Sequence, residues 1–329
     1  MKNHSFNKNL TVDLLQNNRI QTDRNNKVQC KFELSQSQPI LENTTNFELS
    51  VTRFNIQTIG LPVFIPTMKS ENETIYVITF QKDEILYSES VIFTPQNLNP
   101  SEPDEYYYIY NYCFFINLLN QTIITLCNRI GLSNYPKFNY DPITKLISLN
   151  IDTILFGYNE TDKVNIFMNS ALNTLLNSLP VTSIFLSQDC DYQINNSIVS
   201  DPSILTQEFM STYEWSPISN ITFTSNLLPV FPVIDSKVQI YENGDLINDS
   251  TDYNFSNTIT DFIADNSEFL PYIQYSPSIY RYISLKENQS IRSVDISVSW
   301  KDKSTGRLKP LYLAPGASSS CKLYFKYLD

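Results

Sequence analysis

Ile291-Arg-Ser-Val-Asp-Ile-Ser-Val-Ser-Trp300 alternates with a period of two. Val294, Ile296, Val298 and Trp300 fall on one face, and Ser293, Asp295, Ser297 and Ser299 on the other. Further on, Cys321-Lys-Leu-Tyr-Phe-Lys-Tyr327 repeats the pattern: Cys321, Leu323, Phe325 and Tyr327 oppose Lys322, Tyr324 and Lys326. Side chains along a strand point alternately to opposite sides. Such runs therefore read as strands with one buried and one wet face, the unit of antiparallel sandwiches.

The same signals recur upstream. Strands are expected at 28–34, 47–56, 61–65, 74–80, 85–93, 137–140, 146–151, 182–186, 218–225, 237–241, 259–264, 280–285 and 308–313, separated by turn clusters such as Ser35–Pro39 and Lys69–Glu73. Pro62 and Pro66 bracket one of these runs and demote it to an edge or a linker. Tyr140-Asp-Pro-Ile-Thr-Lys145 reads as a hairpin turn, and Gly244 in Glu242-Asn-Gly-Asp245 as another. Two stretches change period. Tyr108, Tyr112, Phe115 or Ile116, Leu119, Ile123, Leu126 or Cys127 and Ile130 recur at helical spacing, with Asp104 placed to cap the start and Gly131 to end the helix. A shorter helix is expected at 164–179, stopped by Pro180. Residues 1–27 are polar and Asn-rich, with Val12, Leu14 and Leu15 the only apolar cluster, and read as an extended arm that a neighbour must hold. The expectation is a mainly β chain of roughly fourteen to sixteen strands with two inserted helices, dividing near residue 160.

Composition narrows the function more by exclusion than by signature. Of 329 residues, 42% are hydrophobic and 13% aromatic, which is ample for a packed core. A net charge of −11 argues against a nucleic-acid binder. The one histidine, His4, sits in the arm, so catalytic triads and histidine metal sites have no rigid imidazole to use. Gly60, Gly131, Gly157, Gly244, Gly306 and Gly316 are isolated, which leaves no phosphate-cradling loop. Cys30, Cys113, Cys127, Cys190 and Cys321 are odd in number and lack metal spacing; each is expected to pack as a small hydrophobe. The polar start suggests no secretion signal, and no apolar run has transmembrane length.

Carboxylate-pair hydrolysis needs only two acids across a cleft, and Asp189, Asp191, Glu208 and Glu214 are the free candidates. The competing reading for them is a solvated surface. Asn248-Asp-Ser-Thr-Asp-Tyr-Asn254 carries oxygen ligands without the glycine and terminal Glu of a calcium loop, so a turn is the better reading. Lys301, Lys303, Arg307, Lys309, Lys322 and Lys326 make the C-terminal segment locally basic against Asp302 and Asp329. They blunt a sheet edge in one reading and face a polyanion in the other. No catalytic, cofactor or metal residue is assigned.

Four stretches resemble the jelly-roll capsid proteins of eukaryotic DNA viruses, namely those of Polinton-like viruses, adintoviruses and virophages. They are Phe47-Glu-Leu-Ser-Val-Thr-Arg-Phe-Asn-Ile56 with Leu61-Pro-Val-Phe-Ile-Pro66, the aromatic run Tyr106 to Ile130, Trp215-Ser-Pro-Ile-Ser-Asn-Ile-Thr-Phe-Thr-Ser-Asn-Leu-Leu-Pro229, and the tail from Ser293 through Trp300-Lys-Asp-Lys303 to Lys326. The resemblance implies a structural virion protein without enzymatic activity. It implies two jelly rolls side by side, 28–160 and 161–329 behind the arm, in a shell subunit that forms trimers and meets other capsid proteins. One jelly roll enlarged by an inserted domain would instead suit a pentameric vertex protein. A β-sandwich attachment or glycan-binding module is the remaining alternative.

Overall fold

The computed structural model describes residues 9–19, 28–57, 60–98, 100, 103–186, 189–236, 239–242, 245–248, 253–263 and 272–328. His4, the Gly244 turn and the centre of the Asn248–Asn254 run lie outside them. The strands are antiparallel throughout, as expected. The chain divides into two compact units, residues 1–61 with 217–329, and 62–216. This corrects the expected division near residue 160. The first unit is discontinuous because its strands find partners from opposite ends of the chain. Lys31–Ser35 pairs with Ser293–Asp302, and Phe47–Gln57 with Ser318–Tyr327. Prolines follow both crossing points, Pro62 after Leu61 and Pro217 after Ser216.

Two five-stranded sheets form the core of the first unit, beside the two-stranded pairs Val28–Gln29 with Tyr312–Leu313, Val233–Ser236 with Tyr253–Ser256 and Ile240–Glu242 with Asp245–Asn248. One runs Leu10–Asn17, Ser318–Tyr327, Phe47–Gln57, Tyr272–Tyr275, with Ile283–Ser284 also pairing Phe47–Gln57. The other runs Thr258–Phe262, Ile218–Thr224, Ser293–Asp302, Leu308–Pro310, with Lys31–Ser35 also on Ser293–Asp302. Rings from the two sheets meet. Phe54 stands perpendicular to Phe223 at 4.9 Å and to Phe32 at 6.5 Å between centroids. Val294, Ile296, Val298 and Trp300 are buried as their alternation requires, and so are Cys321, Leu323 and Phe325.

The Phe47–Gln57 strand changes parity midway. Leu49 and Val51 face the core at odd positions, Phe54 and Ile56 at even ones. The register slips between Lys322 and Leu323, where Lys322 opposes Arg53 and Leu323 opposes Val51. Thr52 is thus the extra residue of a bulge, which lets a run that is not strictly alternating keep one face buried.

Within the segment expected as an arm, Leu10–Asn17 is a strand of the first sheet, in register from Leu10↔Phe325 to Asn17↔Ser318. Val12 and Leu14 are buried there while Leu15 points outward, 83% exposed. Leu10, Val12 and Leu14 do alternate with Thr11 and Asp13, but so short a run in a polar segment reads as an arm, and it is the partner strand that buries Val12 and Leu14.

The second unit carries a five-stranded sheet in the order Val181–Ser183, Tyr192–Ile194, Asn165–Met168, Glu73–Lys82, Ile85–Ile92. A three-stranded sheet, Ile204–Thr206, Ile147–Asn150, Lys137–Tyr140, contains the expected hairpin. Helix α1, Tyr112–Arg129, packs on Ile85–Ile92 and Lys137–Tyr140. Its cap is Asn111, whose side chain accepts from Cys113 N, rather than Asp104, which sits in a 3-10 turn, Pro103–Tyr107. Gly131, at φ 76°, follows its end as expected. Asn120 binds helix to sheet by accepting from Phe138 N at 2.8 Å and donating to Phe138 O at 2.9 Å.

The expected helix at 164–179 is split between a strand and a shorter helix. Asn165–Met168 is wholly buried in the five-stranded sheet, and only Ser170–Leu175 is helical (α2), capped by Asn169. A short apolar run buried on both faces has no period of its own, so helical spacing there was fortuitous. The run 61–65 is no strand; Phe64 makes one bridge, to Ile109.

Candidate assembly surfaces

Each acidic candidate has local surroundings of its own. The Asp191 carboxylate accepts from Ser170 N at 2.7 Å and from Ser170 Oγ at 2.5 Å, holding the start of α2. Glu214 accepts from the Tyr213 hydroxyl at 2.8 Å on an exposed segment, and Glu208 is exposed. Asp189 uses its backbone carbonyl, which accepts from Thr79 Oγ1 at 3.3 Å. Among the described residues no group of three or more His, Cys, Asp or Glu could hold a metal ion. Four cysteines are buried and Cys113 is exposed, against the expectation for that one. Burial pushes the Cys30 thiol up to about 12, which makes it unreactive. A cavity of about 560 Å³ in the second unit is lined by Gln81, Asp83, Glu84, Asn159, Glu160, Thr161, Lys163 and Asn165. Its lysine is paired with Glu160 at 2.7 Å, and it offers no apolar wall of the kind that small-molecule sites use.

The basic C-terminal segment is tied into the sheet by local partners. Lys309 Nζ lies 3.0 Å from the buried Asp302 carboxylate and 5.2 Å from the centroid of the Trp300 ring. Lys322 lies 3.6 Å from Asp13, and Lys326 stands over Tyr282 at 4.9 Å. Asp302 also accepts from Ser304 N at 2.8 Å, Ser304 Oγ at 2.6 Å and Thr305 N at 3.2 Å, closing a turn in which Gly306 takes φ 66°. Exposed Lys303 and Arg307 project from this turn, next to Leu308 at 37% exposure.

Burial pushes the Asp302 carboxyl up, but the Ser304 hydroxyl, Lys309 and the Ser304 amide outweigh it and hold it below the ordinary value of 3.8. A depressed folded-state value adds stability above the unfolded one, and that stability is lost as pH falls through the folded one. Asp302→Asn is therefore expected to lower stability by about 1–2 kcal/mol at neutral pH. Its deficit against the parent begins to narrow below about pH 4, where the carboxyl of the unfolded chain takes up a proton, and closes as pH falls through the lower folded-state value. Denaturant unfolding at pH 7 and pH 3 reads this; an unchanged gap at pH 3 contradicts the assignment.

Segment Gln207–Trp215 has its backbone locked from beneath. Gln207, 2% exposed, donates to Asn177 O at 2.6 Å and Ser211 Oγ at 2.9 Å, and accepts from Ile147 N at 2.9 Å. Ser211 Oγ and Trp215 Nε1 both donate to Leu175 O, at 2.6 and 2.9 Å. Ser178 Oγ donates to Phe209 O at 2.8 Å and accepts from Phe209 N at 3.2 Å. Yet Phe209, Met210 and Tyr213 stand outside at 51%, 36% and 49% exposure. A loop held this firmly while presenting an aromatic, a methionine and a tyrosine has the composition of an interface core. Another exposed apolar point is Phe185, beside the Val181–Ser183/Tyr192–Ile194 hairpin, at φ 53° and 67% exposure. Sequence reading singled out neither as a surface: Phe185 falls in the strand expected at 182–186, which ends at Ser183, and the Phe209 segment carries no periodic signal.

What these surfaces offer is contact rather than chemistry, and comparison with known proteins gives the context. Residues 11–327 match the model of the Sputnik minor capsid protein V18/19 family. The chain belongs to this family. A V18/19 protein is a structural, non-enzymatic component of a virophage-type capsid. The chain is similar to "Uncharacterized protein V18" of Sputnik virophage, at 29% identity over 30% of this chain and 72% of that protein. In fold it resembles a chain of the Sputnik virophage cryo-EM structure, with TM-score 0.80, 23% identity, and coverage of 97% of this chain and 98% of that one. It also resembles the crystal structure of the mavirus penton protein, with TM-score 0.69, 20% identity, and coverage of 97% and 100%. The V18/19 match bears out the expected virion protein with jelly-roll architecture. Among the described residues no helix is long and apolar enough to cross a membrane.

Proposed function

We propose that the chain is the vertex subunit of its capsid, acting as a closed ring of five copies that seats against other capsid proteins. The observation that carries this reading is the discontinuous first unit. One β-sandwich is assembled from residues 1–61 and 217–329, and 62–216 stands as an insertion with its own sheets and with helices α1 and α2. A shell subunit of two jelly rolls side by side would need each half of the chain to close its own sandwich. Here Ser318–Tyr327 and Phe47–Gln57 instead share a ladder across the whole sequence. Likeness in fold to a penton over 97% of the chain supports the same reading. Protein–protein contact is then the entire function, and exposed apolar side chains on rigid backbone are what it requires.

The chain has a mass of 38.0 kDa. Light scattering or mass photometry on the purified full chain is expected to give five times that value. A stable trimer would return the assignment to the shell face, and a monomer at micromolar concentration would count against any ring held by this chain alone.

A further inference from the structure

The apolar patch of segment Gln207–Trp215 is flanked by the carboxylates of Glu208 and Glu214, both exposed. The same chain carries a surface of the opposite sign. On the turn closed by Asp302, exposed Leu308 lies beside the exposed cations Lys303 and Arg307. Each surface is apolar at its centre and charged at its rim, with the charges reversed. Both are rigid before contact: one is clamped by Gln207, Ser211 and Ser178, the other by the Asp302 carboxylate.

We propose that the Phe209–Met210–Tyr213 patch of one copy docks on the Lys303–Leu308 turn of a second copy, with Glu208 and Glu214 meeting Lys303 and Arg307. Phe209 and Met210 lose water against Leu308 and the stems of the two cations, while the charged rims select the register. Preorganisation on both sides keeps the ordering cost low. The contact joins two different patches, so every copy has one of each left to offer. Repeating it gives a closed ring when the rotation allows and an open chain when it does not. This inference deepens the vertex reading and rests on it. The cavity lined by Gln81, Asp83 and Glu84 is polar and has no apolar centre to anchor a partner.

Charge reversal tests it on the full-length protein by native mass. Glu208→Lys with Glu214→Lys is expected to weaken the ring at least tenfold in apparent Kd, and so is Lys303→Glu with Arg307→Glu. All four together restore it, because each rim then meets its opposite again. Phe209→Ser, at an exposed position, weakens the ring without changing charge. Thermal unfolding of each variant checks that the subunit is intact; the two reversals lie on different units, so a folding defect in one leaves the other informative. Rings that survive both reversals, or a fourfold exchange that fails to restore rings lost by folded variants, overturn the docking while leaving the vertex reading in place. A parent chain that forms no ring overturns the vertex reading itself, and the docking with it, before any variant is compared.

Discussion

Phe54→Ala is expected to cost about 3–5 kcal/mol of subunit stability, as large-to-small changes of buried aromatics do. The ring is fully buried and lies where the two sheets of the first unit face each other. It makes edge contacts with Phe223 and Phe32 on the opposing sheet, and Phe223 is itself stacked on Phe262 at 5.9 Å. Truncation removes the transfer free energy of the ring and leaves a cavity that these neighbours, each fixed in its own strand, fill only in part. For a unit of this size the thermal midpoint falls by roughly 10 °C or more. Phe231→Ala, at 59% exposure, is the control and should stay within about 0.5 kcal/mol of the parent. Calorimetry of the two variants decides. A small effect at Phe54 would mean that the sandwich core lies elsewhere.

Asp295→Ala is expected to be nearly as damaging, about 3 kcal/mol, for a different reason. The alternation of Ile291–Trp300 puts Asp295 on the wet face, but it is 3% exposed. The turn that follows Ile218–Thr224 folds over it. The carboxylate accepts from Ser225 Oγ at 2.5 Å, from Asn226 N at 3.1 Å and from Leu227 N at 2.8 Å. Ser225 Oγ in turn accepts from Leu228 N at 2.9 Å. Removing the acid leaves the buried Ser225 hydroxyl without its acceptor and frees the Asn226 and Leu227 amides that fold the turn over it, and the cost of an unmade bond to a buried group exceeds the gain from making it. Asp295→Asn keeps one acceptor and the shape, so an intermediate loss is expected, and Ser225→Ala should cost about 1 kcal/mol. Denaturant midpoints in that order bear out the network. Equal midpoints for all three variants contradict it.

The two residues also show where local pattern stops being informative. Val294, Ile296, Val298, Trp300, Leu323 and Phe325 were legible as core because period two is a property of the strand alone. So was most of α1, whose apolar spacing continues far enough to show a helical period. Asp295 was not, since its burial depends on a turn some seventy residues away in sequence, and nothing in its immediate neighbours records that turn. Asn165–Met168 was misread for the same reason: a segment covered on both faces has no wet side to set a phase.

The assembly surfaces were even less visible. Lys309 and Lys322 read only as part of a basic segment that blunts a sheet edge or faces a polyanion; the fold gives each a carboxylate partner, Asp302 and Asp13. Phe209 and Met210 carry no sequence signal that sets them apart. Only the hydrogen bonds from Gln207, Ser178 and Ser211 distinguish a held surface from a slack one.

Hydrophobic periodicity and composition were enough to establish an antiparallel β protein with one long helix, lacking the histidine and glycine apparatus of common enzymes. Both are local quantities, carried by residues a few positions apart. Which strands became neighbours was settled in three dimensions. Lys31–Ser35 found Ser293–Asp302, Phe47–Gln57 found Ser318–Tyr327, and the intervening 62–216 closed separately as an insertion. Many strands of similar pattern could satisfy the same local preference, so the choice among them fell to the collective packing of Phe32, Phe54 and Phe223, which no stretch of the chain contains on its own.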